Sequence, residues 1–320
     1  MTTINIIVTC TKQKTMVAAP ALQLRNLPST SVPARVCAWK SRIDRCSGEA
    51  CTARKLYSGD HWAVARSLEQ LSGHRHKFKV WVISAGFGLL GLDQPISAYS
   101  ATFSTRHPDS VVHPSHVTAA ALASEDKRLW WNQLTEQEWR RERPISLRQL
   151  AAEFPESPLV LAASANYLKA VQDDLRSARN LLNAPQQLIL FSAGTEELGD
   201  LTEHLVDCNA RLQPLVGGIL RSLNVRVLRH YLSTLGRRNV TLQDAQKMLK
   251  GWLDQAPERP KYDRESVTDD EVRSFVSSAF TTGKRVSRTG LLQQFRQSGR
   301  ACEQNRFKAL FSEVEAALHG

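Results

Sequence analysis

A cysteine and two lysines follow the first apolar stretch of the chain. Residues 4–9 read Ile-Asn-Ile-Ile-Val-Thr, and Cys10, Lys12 and Lys14 come directly after them. A cysteine thiolate attacks an electrophilic carbon, and a lysine ammonium donates to the atom that gains negative charge. The spacing therefore predicts an addition site. The other interpretation of Cys10 is a buried strand-end thiol without chemistry.

Three further side chains are candidate general bases. Asp60 and His61 follow Gly59 at a predicted helix start, and Asp93 follows a glycine-rich stretch. Carboxylates and imidazoles take protons from water in general-base catalysis, and histidine titrates near neutrality. Asp60 is equally well explained as a helix N-cap, in which case His61 is a surface histidine.

The glycine-rich stretch covers residues 84–91, which read Ser-Ala-Gly-Phe-Gly-Leu-Leu-Gly. Its glycines have the spacing of a dinucleotide-binding loop, but such a loop must open a helix. Pro95 follows shortly afterwards and disfavours a helix, so we expect no cofactor at this loop. The amides of Gly86 and Gly88 are instead predicted to approach a ligand and stabilise developing negative charge.

Four short apolar runs must position these side chains. The runs span residues 4–10, 80–85, 158–163 and 188–193. They are typical of the buried strands of a parallel sheet, whose carboxyl ends meet at one edge. We therefore predict an α/β fold with a mostly parallel central sheet flanked by helices and a small C-terminal helical unit. Ser84, Ser164, Ser192 and Gly194 then share a cleft with Cys10.

The composition is that of a basic globular chain. Its 320 residues are 42% hydrophobic, and its formal net charge is +11. A basic surface favours nucleic acid or an anionic membrane surface as a partner. The sequence shows no secretory signal and no apolar run long enough to cross a bilayer. We expect a cytoplasmic protein that does not bind membranes and whose cysteines are free thiols or ligands.

Two long segments are predicted to be irregular. Residues 15–55 contain three prolines, together with Cys37, Cys46 and Cys51. The spacing of these cysteines does not match a zinc knuckle, which leaves a zinc site completed by a distant ligand or a loop with incidental thiols. Residues 93–116 form a long loop with three histidines, which we interpret as a lid or a substrate-facing segment without metal.

The C-terminal part of the sequence is predicted to be a separate helical unit. Domain boundaries are expected at 1–253, a polar linker at 254–270, and a helical unit at 271–320. Helical patterns over 291–297 and from residue 300, separated by Gly299, indicate a helix-turn-helix. Its basic residues, which we expect to contact DNA phosphates, are Lys284, Arg285, Arg288, Arg296, Arg300, Arg306 and Lys308. A packing or dimerisation unit is the other interpretation.

The motifs around the predicted cleft resemble the YaaA-like superfamily, which includes the catalytic domain of archaeosine synthase. The resemblance lies in Cys10-Thr11-x-x-Lys14, in Leu56-Tyr57-Ser58-Gly59, and in residues 84–90 followed by Pro95-Ile96-x-x-Tyr99. It covers residues 4–105 well. The archaeosine synthase motif has Pro and Ser where this chain has Thr9 and Thr11, and a Pro-Tyr where it has Thr15-Met16.

The resemblance extends to a branch of the superfamily found in bacterial gene clusters that place 7-deazaguanines in DNA. It implies that the chain hydrates the nitrile of 7-cyano-7-deazaguanine in DNA to the amide, with DNA and other proteins of such a cluster as partners. The catalytic candidates for this reaction are Cys10, Lys12, Lys14, Asp60, His61 and Asp93. The substrate-binding candidates, from the motifs and the strand ends together, are Thr11, Tyr57, Ser58, Ser84, Gly86, Phe87, Gly88, Tyr99, Ser192 and Gly194.

Two chemical routes and two other function classes stay open at this point. Water attacks the nitrile directly, or Cys10 forms a thioimidate that water then opens. A non-catalytic module that recognises modified or damaged DNA would have the same basic surface. A nuclease is disfavoured because the sequence has no recognisable nuclease motif.

Overall fold

The computed structural model describes residues 2–28, 30–46, 49–72, 75–136, 144–194, 198–236, 238–258, 264–281 and 287–319. The chain divides into two compact units, Met1–Pro257 and Glu258–Gly320. The boundary lies inside the linker predicted at 254–270. That segment is not wholly irregular, because it begins in the last turn of one helix and ends in the first turn of another.

The first unit alternates strands and helices. Its strands are β1 (Thr2–Thr9), β2 (Ala50–Thr52), β3 (His76–Ser84), β4 (Gly88–Gly91), β5 (Pro95–Ser97), β6 (Leu159–Ala162), β7 (Leu188–Ser192) and β8 (Leu205–Asp207). Its helices are α1 (Val32–Arg45), α2 (Ala53–Leu56), α3 (Asp60–Ala65), α4 (Ala120–Glu136), α5 (Leu147–Glu153), α6 (Ala165–Leu181), α7 (Gln213–Val216), α8 (Leu223–Thr234) and α9 (Leu242–Gln255).

The central sheet has six strands in the order β4-β3-β1-β6-β7-β8. All neighbouring pairs are parallel except β3 and β4, which are antiparallel. Strands β6 and β7 are buried along their whole length, because helices cover the sheet and leave no face for polar residues. The α/β fold with a mostly parallel sheet, predicted from the apolar runs, is confirmed.

The helices that cover the sheet pack in two groups. One group contains α1, α4, α5 and α6, and in the other α3 and α7 pack on α8. Asp174 on α6 links the first group, since it accepts hydrogen bonds from the amides of Leu147 and Arg148 and from the indole of Trp131. Burial raises the pKa of this carboxyl, and the three hydrogen bonds offset part of that effect.

Two local predictions differ from the structure. Residues 15–55 contain a 14-residue helix, α1, because Pro33 falls in the first turn, where a proline is tolerated. Residues 88–91 form the edge strand β4 rather than a loop, because the turn at 85–87 reverses the chain and β4 pairs back on β3.

Cys37, one of the three cysteines considered as zinc ligands, is exposed on α1. In the part of the chain that the structure describes, no three His, Cys, Asp or Glu side chains form a metal-sized cluster.

The second unit consists of α10 (Asp269–Thr281), α11 (Arg288–Gln297) and α12 (Gln304–His319), with two short parallel strands, β9 (Glu265–Ser266) and β10 (Arg300–Ala301). It has its own apolar core, which includes Val272, Phe295 and Phe307. The second helix begins at Gln304, later than predicted, since residues 300–301 pair with β9 instead of starting the helix. The connection between α11 and α12 is therefore longer than in a tight helix-turn-helix.

Among the described residues, no helix is both long enough and apolar enough to cross a bilayer.

Candidate functional site

The register of the sheet brings the ends of three strands to one edge. Thr9 on β1 lies beside Ile83 on β3, and Val8 lies beside Ala162 on β6. The Cys10 amide continues the ladder by donating to the Ile83 carbonyl at 3.0 Å. Cys10, Ser84 and the residues after β6 therefore emerge together, as expected for ligand-binding edges of parallel sheets.

Tyr99 is the centre of a hydrogen-bonded group at this edge. Its hydroxyl lies 2.7 Å from the Ser84 hydroxyl and 2.8 Å from the Tyr57 hydroxyl, and all three side chains are buried. The ring packs directly on the backbone of Gly86, where a Cβ atom would come within 2.6 Å of it. Phe87 contacts the same ring edge-on. Glycine is required at residue 86 because the aromatic ring occupies the space of a side chain.

Lys14 extends over this aromatic group. Its backbone pairs with Tyr57, and its ammonium lies 4.3 Å from the centre of the Tyr99 ring and 5.6 Å from that of Tyr57. Burial lowers the pKa of Lys14, and the nearby Cys10 and Asp109 offset part of this effect. A lysine whose pKa is lowered gives up its proton more readily than an exposed lysine, which favours a role in proton transfer.

Cys10 contacts a residue that the sequence did not indicate. Its Sγ atom lies 3.3 Å from the hydroxyl of Tyr167, in the first turn of α6, and the Tyr167 ring packs edge-on against Phe103. Burial raises the pKa of both Tyr167 and Tyr99 well above the usual value for tyrosine, so both phenols stay protonated. Tyr167 follows the strand-end Ser164 by three residues, and the strand-end rule that selected Ser164 would have found it.

We call Cys10, Lys14, Tyr57, Tyr99 and Tyr167 the strand-end cluster. It contains a thiol, an ammonium group of lowered pKa and three phenols, and burial raises the pKa of two of these phenols, Tyr99 and Tyr167. Such a set can add a nucleophile to an electrophilic carbon and supply protons to the leaving or developing anion.

Asp60 and His61, the two general-base candidates at the start of α3, differ in how readily they accept a proton. Asp60 accepts hydrogen bonds from Arg226 and Ser222, and these lower the pKa of its carboxyl. His61 Nε2 lies 3.2 Å from the Thr9 carbonyl. A carbonyl only accepts, so Nε2 carries the proton and Nδ1 keeps its lone pair. Burial lowers the pKa of His61, so the imidazole is neutral at pH 7 and is a better base than Asp60.

Two predicted catalytic residues have no described contact with the strand-end cluster. The Asp93 side chain is 74% exposed and is held by Arg54, whose hydrogen bonds lower the pKa of the carboxyl. None of the contacts described for Asp93 includes Cys10 or Lys14. Lys12 is exposed, and its charge acts on His107, whose pKa is lowered first by burial and then by this lysine.

In the glycine-rich turn the Gly86 amide is already engaged within the chain. The amides of Gly86 and Phe87 both donate to the Ser84 hydroxyl, at 3.2 and 3.1 Å. Gly88 has a φ of 75°, and a Cβ there would come within 2.8 Å of the Ile145 carbonyl. This turn therefore positions Ser84 and Tyr99, and the prediction that Gly86 stabilises developing negative charge is wrong for this conformation.

The remaining predicted binding residues have structural roles or lie apart. The Thr11 hydroxyl donates to the carbonyls of Gln13 and Ser58, which fixes the loop that carries Lys14. Ser192 is buried at the end of β7, and its hydroxyl has no partner among the described residues. Gly194 is exposed beyond β7. Strand β6 separates β7 from β1, so these two residues do not join the strand-end cluster.

The predicted loop at 93–116 is anchored by one buried carboxylate. Asp109 accepts hydrogen bonds from the backbone and guanidinium of Arg25 and from the Ser100 hydroxyl. Burial opposes its ionisation, but these hydrogen bonds outweigh that effect and lower the pKa of Asp109 to about 2. This segment carries Tyr99 and Phe103 into the strand-end cluster and is an ordered wall of the site rather than a structureless lid.

In the second unit, three of the predicted DNA-contacting arginines are used internally. Arg296 donates to the Cys302 carbonyl, and Arg306 pairs with Asp269 and donates to the Val267 carbonyl. Arg300 stacks over Phe275 and Phe295. Arg288 and Lys308 are exposed, whereas Lys284 and Arg285 lie outside the described residues.

The chain matches no family model, no curated protein and no solved structure.

Proposed function

We propose that the first unit hydrates the nitrile of a 7-cyano-7-deazaguanine base in DNA to the amide. The observation that carries this proposal is that Lys14 lies over Tyr99 and Tyr57 at the strand edge where Cys10 contacts Tyr167. Cys10, Lys14, Tyr57 and Tyr99 all belong to the motifs that resemble the YaaA-like superfamily. The branch of that superfamily that the resemblance implies is the DpdC proteins of DNA-modification clusters. Other proteins of such a cluster are proposed partners.

The chemistry of the strand-end cluster suits a nitrile. In its neutral form, which a lowered pKa makes easier to reach, Lys14 takes the thiol proton of Cys10, and the thiolate adds to the nitrile carbon. The nitrogen then gains the electron pair of one C–N bond and takes the proton back from Lys14, which gives a thioimidate. Water adds to its carbon, the C–S bond breaks, and Cys10 recovers its proton as the amide forms. The net reaction consumes one water molecule and needs no oxidant or reductant.

His61 supports the competing route, in which water attacks the nitrile directly. Its Nδ1 lone pair is available to take a proton from water, while Lys14 or a phenol donates to the nitrogen. In both routes the base must leave the duplex, because Cys10 is only 8% exposed.

The proposal is tested with a duplex containing a single 7-cyano-7-deazaguanine. We expect the purified chain to convert that nucleoside to one heavier by one water molecule, measured by mass spectrometry after digestion. Cys10→Ala should abolish turnover in the thioimidate route and leave it near normal if water attacks directly. An unchanged nucleoside mass with intact DNA binding would contradict hydration and support the alternative, a non-catalytic module that recognises modified DNA.

A further inference from the structure

A second feature of the first unit has no role in the proposed chemistry. A pocket of about 670 Å³ lies between the first turns of α4 and α6 and the segment around Thr105. The residues that line it include no Asp or Glu, but they include three basic residues, Arg106, Lys127 and Lys169. The pocket is therefore positively charged on several sides.

Lys127 is the most unusual of the three basic residues because its side chain is buried. It is only 6% exposed, although lysine is almost never fully buried without a partner. Its one hydrogen bond to the described part of the chain is a long contact of 3.4 Å to the amide oxygen of Asn166. The Lys127 ammonium faces the pocket, and no carboxylate of the described residues lies beside it. Because burying a charge is costly unless it is paired, a negatively charged partner is expected there.

Two helix N-termini add to the positive potential. Ala120, Ala121 and Ala123 in the first turn of α4 line the pocket, and so does Asn166 in the first turn of α6. Both helices have 17 residues and neither has an acidic residue in its first turn. Helix N-termini present unpaired amides and a positive dipole end to an anion, so they act in the same direction as the basic side chains.

We infer that this pocket binds a phosphate group, and specifically the phosphodiester beside the nucleotide that enters the strand-end cluster. The second half of this inference rests on the proposed function. Asn166, which lines the pocket, is followed directly by Tyr167, whose phenol contacts Cys10. A flipped nucleotide at Cys10 thus has its backbone within reach of Lys127.

The electrostatics of Lys127 agree with this role. Burial and then the like charge of Lys169 lower the pKa of Lys127. A bound phosphate supplies the missing counter-charge and accepts charge-assisted hydrogen bonds from the ammonium group. The charge of Lys127 would then be balanced by the bound anion rather than by a carboxylate of the same chain.

Calorimetric titration of the full-length chain at constant ionic strength tests the inference. The probes are thymidylyl-thymidine, which has one phosphodiester, inorganic phosphate, and thymidine without phosphate. Lys127→Met keeps the buried stem and removes only the charge. Lys77→Met is the matched control, since Lys77 is exposed near the amino end of β3, away from the strand-end cluster. We expect the dinucleotide to bind about tenfold or more weakly to Lys127→Met, while the control binds like the wild type.

These binding measurements decide the phosphate site independently of whether the chain hydrates a nitrile. Equal dinucleotide binding by the wild type and Lys127→Met, or tighter binding of thymidine, would overturn it even if hydration is observed. Lys127-dependent binding of inorganic phosphate alone would overturn the assignment to the DNA backbone. Lys127-dependent dinucleotide binding without any hydration would support the phosphate site while the proposed reaction fails.

Discussion

Lys14 and Cys10 both lie beside buried aromatic side chains, and burial lowers the pKa of Lys14. Lys14 has no carboxylate within hydrogen-bond distance in the described part of the chain, and its ammonium rests over Tyr99 instead. The cation–π contact holds the side chain in place, whereas burial lowers the pKa of Lys14 and makes its proton easier to lose. The residue that the sequence selected for its spacing is thus also the one whose surroundings tune it for proton transfer.

The sequence indicated part of the strand-end cluster and missed one member. Cys10, Lys14, Tyr57, Ser84 and Tyr99 were predicted as site residues and come together, because strand ends and short motifs are visible in a single sequence. Asp93 and Lys12 were predicted on the same grounds, but no described contact joins either side chain to it. Tyr167 was missed although it follows the strand-end Ser164 by only three residues, so a strand-end rule extended over the first turn of the next helix would have included it.

The Tyr167 hydroxyl can be tested by a single substitution. Tyr167→Phe removes the hydroxyl beside Cys10 Sγ and keeps the ring that packs on Phe103. If the phenol orients the thiol and donates to developing charge, kcat for hydration should fall about 10-fold to 100-fold with little change in KM.

Tyr231→Phe is the matched control for this change. Its hydroxyl hydrogen-bonds to Asp244, and neither residue is part of the strand-end cluster. We expect its kcat to stay close to that of the wild type. Equal losses in the two variants would show that any buried phenol matters for stability alone, and the role given to Tyr167 would be withdrawn.

At the scale of elements, the strands were easier to predict than the segments between them. The apolar runs located four of the six strands of the central sheet, because continuous Val, Ile and Leu reflect burial on both faces. Strand β4 was not found, since its glycines signalled a loop and its pairing depends on the preceding turn. Helix α1 was not found because its proline, Pro33, and its basic residues obscured a short apolar face formed by Val32, Val36 and Trp39.

The segment that carries Tyr99 depends on Asp109, and this gives a testable acid sensitivity. The pKa of Asp109 is about 2, below the ordinary value of 3.8. The ionised carboxylate therefore stabilises the fold fully above about pH 4, and this contribution is lost as the pH falls through 2. Asp109→Asn should lower the free energy of unfolding at pH 7 by about 2 kcal/mol.

Urea unfolding followed by tryptophan fluorescence measures this change in the first unit, because all seven tryptophans lie within residues 1–257. The difference between wild type and variant should shrink from pH 5 towards pH 2, since protonation removes the same charge. A difference that is constant over this range would contradict the ion-pair account of Asp109.

At the scale of the whole molecule, the excess positive charge is not concentrated in the second unit. Residues 258–320 contain eleven Lys and Arg against nine Asp and Glu, so they hold two of the eleven net charges. The first unit holds the remaining nine. The local run of basic residues at 284–308 was conspicuous in sequence, but acidic residues elsewhere in the same unit balance most of it.

DNA binding by the second unit should therefore depend on its exposed basic residues. Arg288→Ala with Lys308→Ala should leave the unit folded, weaken DNA binding, and reduce the slope of log K against log salt by up to about two. Arg273→Ala is a control, because Arg273 is paired with Asp270 and Glu313. An unchanged salt slope in the double variant would exclude phosphate contacts at these two residues.

The central claim is that Lys14 moves the proton in nitrile hydration at the strand-end cluster. Single-turnover conversion of a 7-cyano-7-deazaguanine duplex by Lys14→Met, beside Lys77→Met, tests it most directly. Methionine keeps the side chain over Tyr99 but carries no proton, so we predict a rate about 100-fold to 1,000-fold below wild type, with DNA binding retained and the control near normal. A Lys14→Met rate within a few-fold of the wild-type rate would contradict the claim.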